Sequence, residues 1–595
     1  MTVGAKRRVC ELEALRETWQ GRWEEALALW SRFTKLSPPL WCMTAKEEEK
    51  EDLTESFAMI RLQGHDVVVS LKQVREKELE DFALEILAHE IGHHVYAPAD
   101  LRDNARLLAR IRRALPGKEP FAGLIANLYT DLLINDRLQR SAGLDMGGVY
   151  RKLPVEDPSP LWVLYLLIYE SLWNLPQGTL IGPAKKARMR SDARLGARVI
   201  RAYARHWLDG AGRFAALCLP YLKSWGLKRT LANLPPWLDT GQAGAGGGIP
   251  DGLTRIEENE EEGALHPAHD PELTGLMEEE GGAGGDDGHP DGIGAEIRGG
   301  RKNRYRTPEE YRELMKGVGV TVPEKDLTAR YYRERAVPHL IPFPSRETEE
   351  STDPLPEGLD VWDVGSPVSS VDWMESVIRS PHVIPGVTTV QRLYGTAEGG
   401  SPEREPVDLY LGIDCSGSML NPALDLSHPV LAGAIIVLSA LRAGARAMAC
   451  LSGEPGRYSQ TDGFVSSERD LLRILTGYLG TGYAYGILRL KETFLDGGPP
   501  RRPTHVMVIT DSDIFHMLGE VRDGWEIAER AVARAGGGAT MVLHMSPDWG
   551  GYREELDRLR EQGWTIHFVT DQEELVAFAR TFARETYARE REWKP

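Results

Sequence analysis

The chain has 595 residues and a formal net charge of −18 at pH 7. Because one hydrophobic core stops growing near ~250–300 residues, this length excludes a single compact domain and predicts two. The net negative charge argues against a nucleic-acid partner, because nucleic acids bind to basic protein surfaces. Neither the first residues nor the most apolar run, Leu161–Tyr169, fits a signal peptide or a membrane span. We therefore expect a cytoplasmic protein with no membrane partner, and five scattered cysteines fit a reducing compartment.

The sequence of residues 1–235 predicts mostly helix, and this part is the first predicted domain. Residues 56–71 are the exception, because two β-rich runs flank Gln63-Gly64 and predict a hairpin. A helix is predicted over 76–98, with its end at Pro98. The expected fold of this part is an α+β domain that is mainly helical.

The helix after the hairpin contains HEIGH, in which His89 and His93 are four residues apart and Glu90 follows the first histidine. Side chains at i and i+4 lie on one helix face, about 5–6 Å apart at Cβ, so both imidazoles can reach one metal ion. The carboxylate of Glu90 is placed to polarise a water on that ion. The rest of the helix is apolar, which predicts a buried element. The pattern thus predicts a zinc site with Glu90 as the catalytic base.

A second amphipathic helix supplies candidates for the remaining ligand, because Asn127, Asp131 and Asn135 recur every four residues. A catalytic zinc takes three protein ligands and keeps one position for water. Asp131 is the predicted third ligand, and the two asparagines are predicted to orient the ligands from outside the metal shell. Asp136 and Glu170 are the competing candidates for the third ligand.

HEIGHH followed by NLYTDLLIN resembles the metallopeptidase domain that some bacterial proteins carry ahead of a von Willebrand factor A-like domain. In that group, an HExxH helix is followed by a helix with the pattern N-x-x-x-D-x-x-I-N. The likeness covers about fifty residues of this chain. It implies a zincin-like fold, a zinc cofactor and a peptide or protein substrate.

The segment 236–300 has the composition of a linker. Residues 241–300 hold 15 acidic side chains, two basic ones and 17 glycines, a net charge of −13. A segment so charged and so poor in large apolar residues cannot offset its ordering entropy by burial. We expect a disordered, self-repelling tether that marks the domain boundary. A connector, residues 301–403, follows and begins with a short helix at Thr307-Pro308.

Residues 404–590 alternate apolar strands with amphipathic helices. This alternation predicts a doubly wound, mainly parallel sheet covered on both faces, so the protein as a whole is α/β. Ligands of such sheets bind at the carboxyl ends of the strands. The strands are predicted at 407–416, 446–452, 504–513, 539–545 and 564–571.

Polar residues cluster at those strand ends. Asp414, Ser416 and Ser418 follow the first strand as D-x-S-x-S, Thr481 lies in a loop, and Asp511 follows a later strand. These are hard oxygen donors, which suit Mg²⁺ better than zinc. Because Mg²⁺ retains exchangeable waters, a carboxylate of a protein partner can complete its shell. The sequence therefore predicts a magnesium site for docking a partner.

The five-part pattern is that of a metal-ion-dependent adhesion site, and this half resembles the von Willebrand factor A domain throughout. The five ligand roles of that family fall on these residues without departure. The strings WDVGSP, SVDW and IPGVTTVQR in the connector resemble bacterial proteins associated with MoxR-type AAA+ ATPases, including those of proposed conflict and defence systems. The resemblance implies such an ATPase as the partner.

Two functions follow from these patterns. The first is a zinc-dependent metallopeptidase coupled to a magnesium-dependent docking domain. The alternative is a non-catalytic adaptor of an AAA+ complex, chelatase-like or chaperone-like, in which the zinc site is structural or vestigial.

Overall fold

The computed structural model describes residues 3–53, 56–153, 155, 158–182, 187–222, 248–273, 305–347, 353–397, 404–453, 456–482, 486–498, 500–545, 551–571, 574–575, 577–578 and 581–582. Two compact units divide the chain, Met1–Glu334 and Arg335–Pro595. The division therefore falls inside the predicted connector and not at the predicted boundary within 236–300. Connector residues up to Glu334 belong to the first unit, and those from Arg335 onward belong to the second.

The first unit is mainly helical, as expected. Its described helices are α1 Val3–Gly21, α2 Trp23–Trp30, α3 Ala45–Lys50, α4 Leu71–Glu76, α5 Ala83–Val95, α6 Leu101–Arg113, α7 Ala122–Arg137, α8 Met146–Arg151, α9 Pro160–Leu172, α10 Ala187–Ala202, α11 Trp207–Leu222, α12 Glu258–Glu262, α13 Pro308–Gly317 and α14 Glu324–Ala336, the last of which crosses the division. Thr307 and Glu310 form a capping box at the start of α13, so the helix predicted there is confirmed.

A three-stranded sheet accompanies these helices, with β1 Leu40–Cys42, β2 Ala58–Arg61 and β3 Asp66–Ser70 in the order β1-β3-β2. The predicted hairpin is confirmed, since β2 and β3 pair antiparallel. The helix predicted over 76–98 begins later, at Ala83, because α4 ends before Glu78, whose φ is +55°. Backbone with positive φ cannot continue a right-handed helix.

Part of the predicted tether is folded, which corrects the expectation for 236–300. Leu253 and Leu273 are 2% and 1% exposed. Acidic side chains of this segment pair with arginines of the first unit, which offsets part of the self-repulsion on which the prediction rested. These pairs are Glu257 with Arg106 and Arg110, Glu260 with Arg306, and Asp270 with Arg213. Residues 236–247 and 274–300 lie outside the described residues.

The second unit contains two small two-stranded sheets and a larger sheet. The helices are α15 Trp373–Arg379, α16 His428–Arg442, α17 Glu468–Leu475, α18 Ile487–Lys491, α19 Asp513–Glu520, α20 Gly524–Ala535 and α21 Arg553–Glu561. The strands are β4 Ser345–Glu347, β5 Asp353–Val361, β6 Val390–Ala397, β7 Arg404–Pro406, β8 Asp408–Asp414, β9 Ala447–Ser452, β10 Tyr458–Gln460, β11 Thr504–Thr510, β12 Gly536–Leu543 and β13 Trp564–Phe568. β4 pairs with β7, and β5 pairs with β6.

The six-stranded sheet has the order β10-β9-β8-β11-β12-β13, and every pair except β10–β9 is parallel. Helix α16 packs on one face, where Gly433 approaches Ile509. Helices α18, α20 and α21 contribute to the core on the other face. The α/β class is therefore confirmed, while the antiparallel edge strand β10 was not predicted. From β8 the chain passes to β9 on one side and later to β11 on the other, so the order reverses between β8 and β11.

Within the part of the chain that the structure describes, no helix is long and apolar enough to cross a membrane.

Candidate metal centres

Helix α5 carries His89, Glu90 and His93 in a closely packed environment. All three side chains are buried, and His93 is 0% exposed. The helix can lie this close to its neighbours because it has glycine at position 92, where a Cβ would come within 2.6 Å of Trp30 and Ile134. Trp30 also donates its indole N–H to the carbonyl of Ala88 over 2.7 Å. Packing against α2 and α7 thus sets the position of the histidine pair.

Helix α7 brings the predicted third ligand to the pair. The Nε2 atoms of His89 and His93 are 3.2 Å apart. Oδ1 of Asp131, a residue with 0% exposure, lies 3.7 Å from Nε2 of His89 and 3.5 Å from Nε2 of His93. Tetrahedral zinc with bonds of about 2.0–2.1 Å places its ligand atoms about 3.3–3.4 Å apart, so the triangle fits this ion.

The hydrogen bonds of the two Nδ1 atoms show which ring nitrogens of His89 and His93 face the centre of that triangle. Nδ1 of His93 donates to the carbonyl of Ala97 over 3.1 Å, because a carbonyl can only accept. Nδ1 of His89 lies 2.7 Å from Oδ1 of Asn135. With both Nδ1 atoms acting as donors, the Nε2 lone pairs of neutral rings converge with a carboxylate. Such a donor set suits a divalent cation.

The two asparagines predicted to orient the ligands do contact them. Asn127 donates to Oδ2 of Asp131 over 2.9 Å, which leaves Oδ1 turned to the histidines. Asn135 donates from Nδ2 to the hydroxyls of Tyr150 and Tyr169 over 3.0 and 2.8 Å. Its amide orientation is therefore fixed, and its Oδ1 faces His89.

Three tyrosines behind Asn135 were missed by sequence reasoning. The hydroxyls of Tyr150, Tyr165 and Tyr169 form a closed triangle with edges of 2.8–3.0 Å. Burial, followed by the charge of Asp131, raises the pKa of Tyr169 far above its ordinary value, so the hydroxyls stay protonated. The spacing of Tyr165 and Tyr169 on an apolar helix was the available signal, but it is equally typical of core packing.

A small cavity adjoins the site. Its lining includes His89, Glu90 and Tyr150, together with apolar side chains of Phe57 and Met146. Its volume is about 20 Å³. A water needs at least ~10–15 Å³ by this measure, so the cavity holds about one water molecule beside Glu90.

The competing third ligands make other contacts. The carboxylate of Asp136 accepts from Arg140 over 2.8–2.9 Å. Glu170 accepts from the backbone N–H groups of residues 178 and 180 and so closes a loop. Among the described residues, His89, His93 and Asp131 form the group of histidine, cysteine and acidic side chains that could hold a metal.

A second cluster of oxygen atoms lies where the large sheet reverses its order, at the carboxyl ends of β8 and β11. Ser416 donates its backbone N–H to Oδ1 of Asp414 over 2.7 Å. Ser416 and Ser418 share a hydrogen bond of 2.9 Å between their hydroxyls, and Ser418 donates to Asp511. Thr481 forms a bridge with Ser416. The structure therefore brings all five predicted magnesium ligands to one edge.

Two further residues join this cluster. Thr510 donates its hydroxyl to Oδ2 of Asp414 over 2.8 Å, and Oδ2 of Asp513 lies 3.3 Å from the hydroxyl of Ser418. Burial and the nearby charge of Asp511 raise the pKa of Asp414 to about 6. A divalent cation would offset both effects, so the donor set fits Mg²⁺. The sequence alone does not indicate the contact between Thr510 and Asp414, because this contact depends on the register in which β8 and β11 pair.

No family model, curated protein or solved structure matches this chain.

Proposed function

We propose that the protein is a zinc-dependent metallopeptidase joined to a magnesium-dependent docking domain. The observation that carries the first part is the convergence of His89, His93 and Asp131, with ligand atoms 3.2–3.7 Å apart. The resemblance of this region to zincin-like metallopeptidases supports the same assignment. The substrate class is a peptide or protein.

Each residue of the zinc site has a defined role in this proposal. His89, His93 and Asp131 would hold the ion, which would supply Lewis acidity at this position. Glu90 accepts the proton of the attacking water and returns it to the leaving amine. The apolar walls of the adjoining cavity strengthen these electrostatic interactions by excluding bulk water.

The alternative is a non-catalytic adaptor of an AAA+ complex, and the burial of the site favours it. A peptide cannot reach Asp131, which is 0% exposed, without opening of the surrounding helices. Structural zinc sites are closed, whereas catalytic ones keep a coordination position for substrate. Cleavage therefore requires an opened state, and a permanently closed site would make the zinc structural.

The docking role rests on the oxygen cluster of the second unit and on an apolar surface. A partner carboxylate would complete the shell of Mg²⁺ held by Asp414, Ser416, Ser418, Thr481 and Asp511. Exposed apolar patches mark protein–protein contact sites. Twelve large apolar residues between 359 and 394 are at least 38% exposed: Leu359, Val364, Val368, Trp373, Met374, Val377, Ile378, Val383, Ile384, Val387, Leu393 and Tyr394. By resemblance, the partner is a MoxR-type AAA+ ATPase.

Metal analysis tests the zinc site. We expect about one zinc per purified chain, lost in Asp131→Asn and retained in Asp136→Asn, the matched control on the same helix. A folded wild-type chain without zinc would refute the proposal.

Variants of both sites separate the two functions. Glu90→Gln should retain zinc and lose cleavage of a protein substrate by roughly 10²–10⁴-fold, because general-base catalysis is worth that much. Asp414→Ala should abolish Mg²⁺-dependent partner binding. If Glu90→Gln leaves every activity intact while Asp414→Ala removes it, the adaptor function is correct.

A further inference from the structure

A polar cavity of about 660 Å³ lies in the first unit, away from the zinc ligands. Helix α6, the loop before α11 and the folded part of the acidic segment form its walls. Five arginines line it: Arg102, Arg106, Arg110, Arg205 and Arg255. Ligand pockets for small molecules typically measure ≈ 300–1,000 Å³, so its size suits a metabolite.

Two of these arginines already pair with a carboxylate of the chain itself. Arg106 donates to the carboxylate of Glu257 from Nε over 2.7 Å and from Nη2 over 3.2 Å, and Arg110 donates to the same carboxylate over 2.6 Å. Arg110 is 3% exposed, and its Nε is buried with no hydrogen-bond partner. This wall of the cavity is thus built to receive anionic oxygens.

The other three arginines line the same cavity. In the described part of the chain, Arg102, Arg205 and Arg255 make no ion pair or side-chain hydrogen bond. Arg102 runs alongside Gly252, whose φ is +81° and where a Cβ would come within 2.9 Å of its guanidinium.

The acidic side chains of the lining do not neutralise this set. Asp103 is engaged by Arg106 over 2.7 Å, and Glu257 by the pair described above. The whole lining holds five arginines against four acidic residues, with His206 on the same wall. The excess charge is positive in a protein whose net charge is −18.

We propose that this cavity binds a small phosphorylated molecule, with Arg102, Arg205 and Arg255 as its phosphate ligands. The planar guanidinium donates two parallel hydrogen bonds to phosphate, and three such groups around one cavity match a ligand with several phosphoryl groups. Arg102, Arg205 and Arg255 are exposed, so a ligand can reach this cavity from solvent. Its size suits a metabolite, whereas a nucleic acid needs an extended basic face. This site is independent of both metal centres.

Calorimetry on the full-length chain tests the proposal, with inorganic triphosphate, ATP and citrate as probes and no added Mg²⁺. Triphosphate should bind with one site per chain, and Arg102→Gln/Arg205→Gln should weaken binding by about tenfold or more, because the double variant loses two guanidinium contacts to phosphate. Arg112→Gln, on the same helix but outside the lining, is the matched control. Asp414→Ala should bind triphosphate as the wild type does.

The probes also identify the source of the phosphate. Equal affinity for triphosphate and ATP assigns the site to the polyphosphate group alone, and tighter binding of ATP assigns it to a nucleotide. Binding that is absent, unchanged in the double variant, or stronger for citrate than for triphosphate would overturn the proposal.

Discussion

Single residues decide the orientation of the candidate metal ligands. Asn135 accepts from His89 and donates to two tyrosine hydroxyls, so its amide cannot turn without losing three hydrogen bonds. The tautomer of His89 follows from that orientation. The spacing of Asn127, Asp131 and Asn135 predicted one helix face, but only the packed core shows what fixes each side chain.

Asn135→Ala should lower zinc affinity by roughly 10–100-fold, because loss of a residue that orients a ligand typically has that effect. Competition with a chromophoric chelator measures it. Thr130→Val is the control, since that hydroxyl bonds only to backbone carbonyls of α7. Equal zinc affinity in Asn135→Ala and wild type would show that the hydrogen bond to His89 does not matter.

At the scale of elements, the approach of α5 to its neighbours positions the site. A methyl group at Gly92 would overlap Trp30 of α2 and Ile134 of α7. Overpacking of this kind costs ~1–3 kcal/mol and shifts the backbone. HEIGHH shows the histidine spacing, but the need for glycine at position 92 depends on helices that are distant in sequence.

Gly92→Ala should therefore destabilise the first unit by ~1–3 kcal/mol and weaken zinc binding. Urea unfolding and metal analysis measure the two effects. Gly123→Ala in α7 is the contrasting variant, because a Cβ there meets nothing within 4 Å. It should stabilise the protein by roughly 0.5–1 kcal/mol. The same response in both variants would contradict the packing argument.

Strand β13 carries a group that makes the second unit sensitive to acid. Burial lowers the pKa of His567 from 6.5 to about 4, since its ring is desolvated. Among the described residues, the buried Nε2 of His567 has no hydrogen-bond partner. Because the folded state resists protonation, its stability is complete above pH 6.5 and is lost as the pH falls toward 4.

This shift should cost about 2 kcal/mol of stability at pH 5 relative to pH 7. Urea unfolding of the full chain at the two pH values should show that His567→Leu removes this part of the loss. An unchanged difference between pH 7 and pH 5 in the variant would assign the acid sensitivity to other groups.

At the scale of the whole molecule, the described part of the acidic segment does not behave as a tether. Composition alone predicted a tether over 236–300, because charge and glycine content resist burial. Residues 248–273 nevertheless pack on the first unit, where arginines of α6 and α11 neutralise their carboxylates. The first unit consequently extends to Glu334.

A fragment ending at residue 247 should be less stable than one ending at residue 334. It lacks Leu253 and Leu273, which are 2% and 1% exposed, and burial of one such side chain contributes ≈ 1.5–3 kcal/mol. A loss of about 3 kcal/mol or more should appear as a lower urea midpoint. Equal midpoints would support the predicted boundary at residue 235.

The sequence by itself determined the local features of this protein. Strand–helix alternation predicted the α/β class, and the spacing of His89, His93 and Asp131 predicted a ligand set, because periodicity and turn residues act over a few positions. The tertiary structure decided everything that depends on distant partners. Asp131 rather than Asp136 or Glu170 faces the histidines, Thr510 supports Asp414, and arginines hold Glu257. The negative charge concentrated in one segment therefore did not indicate where the two units divide, because charges that repel along the sequence are paired in space.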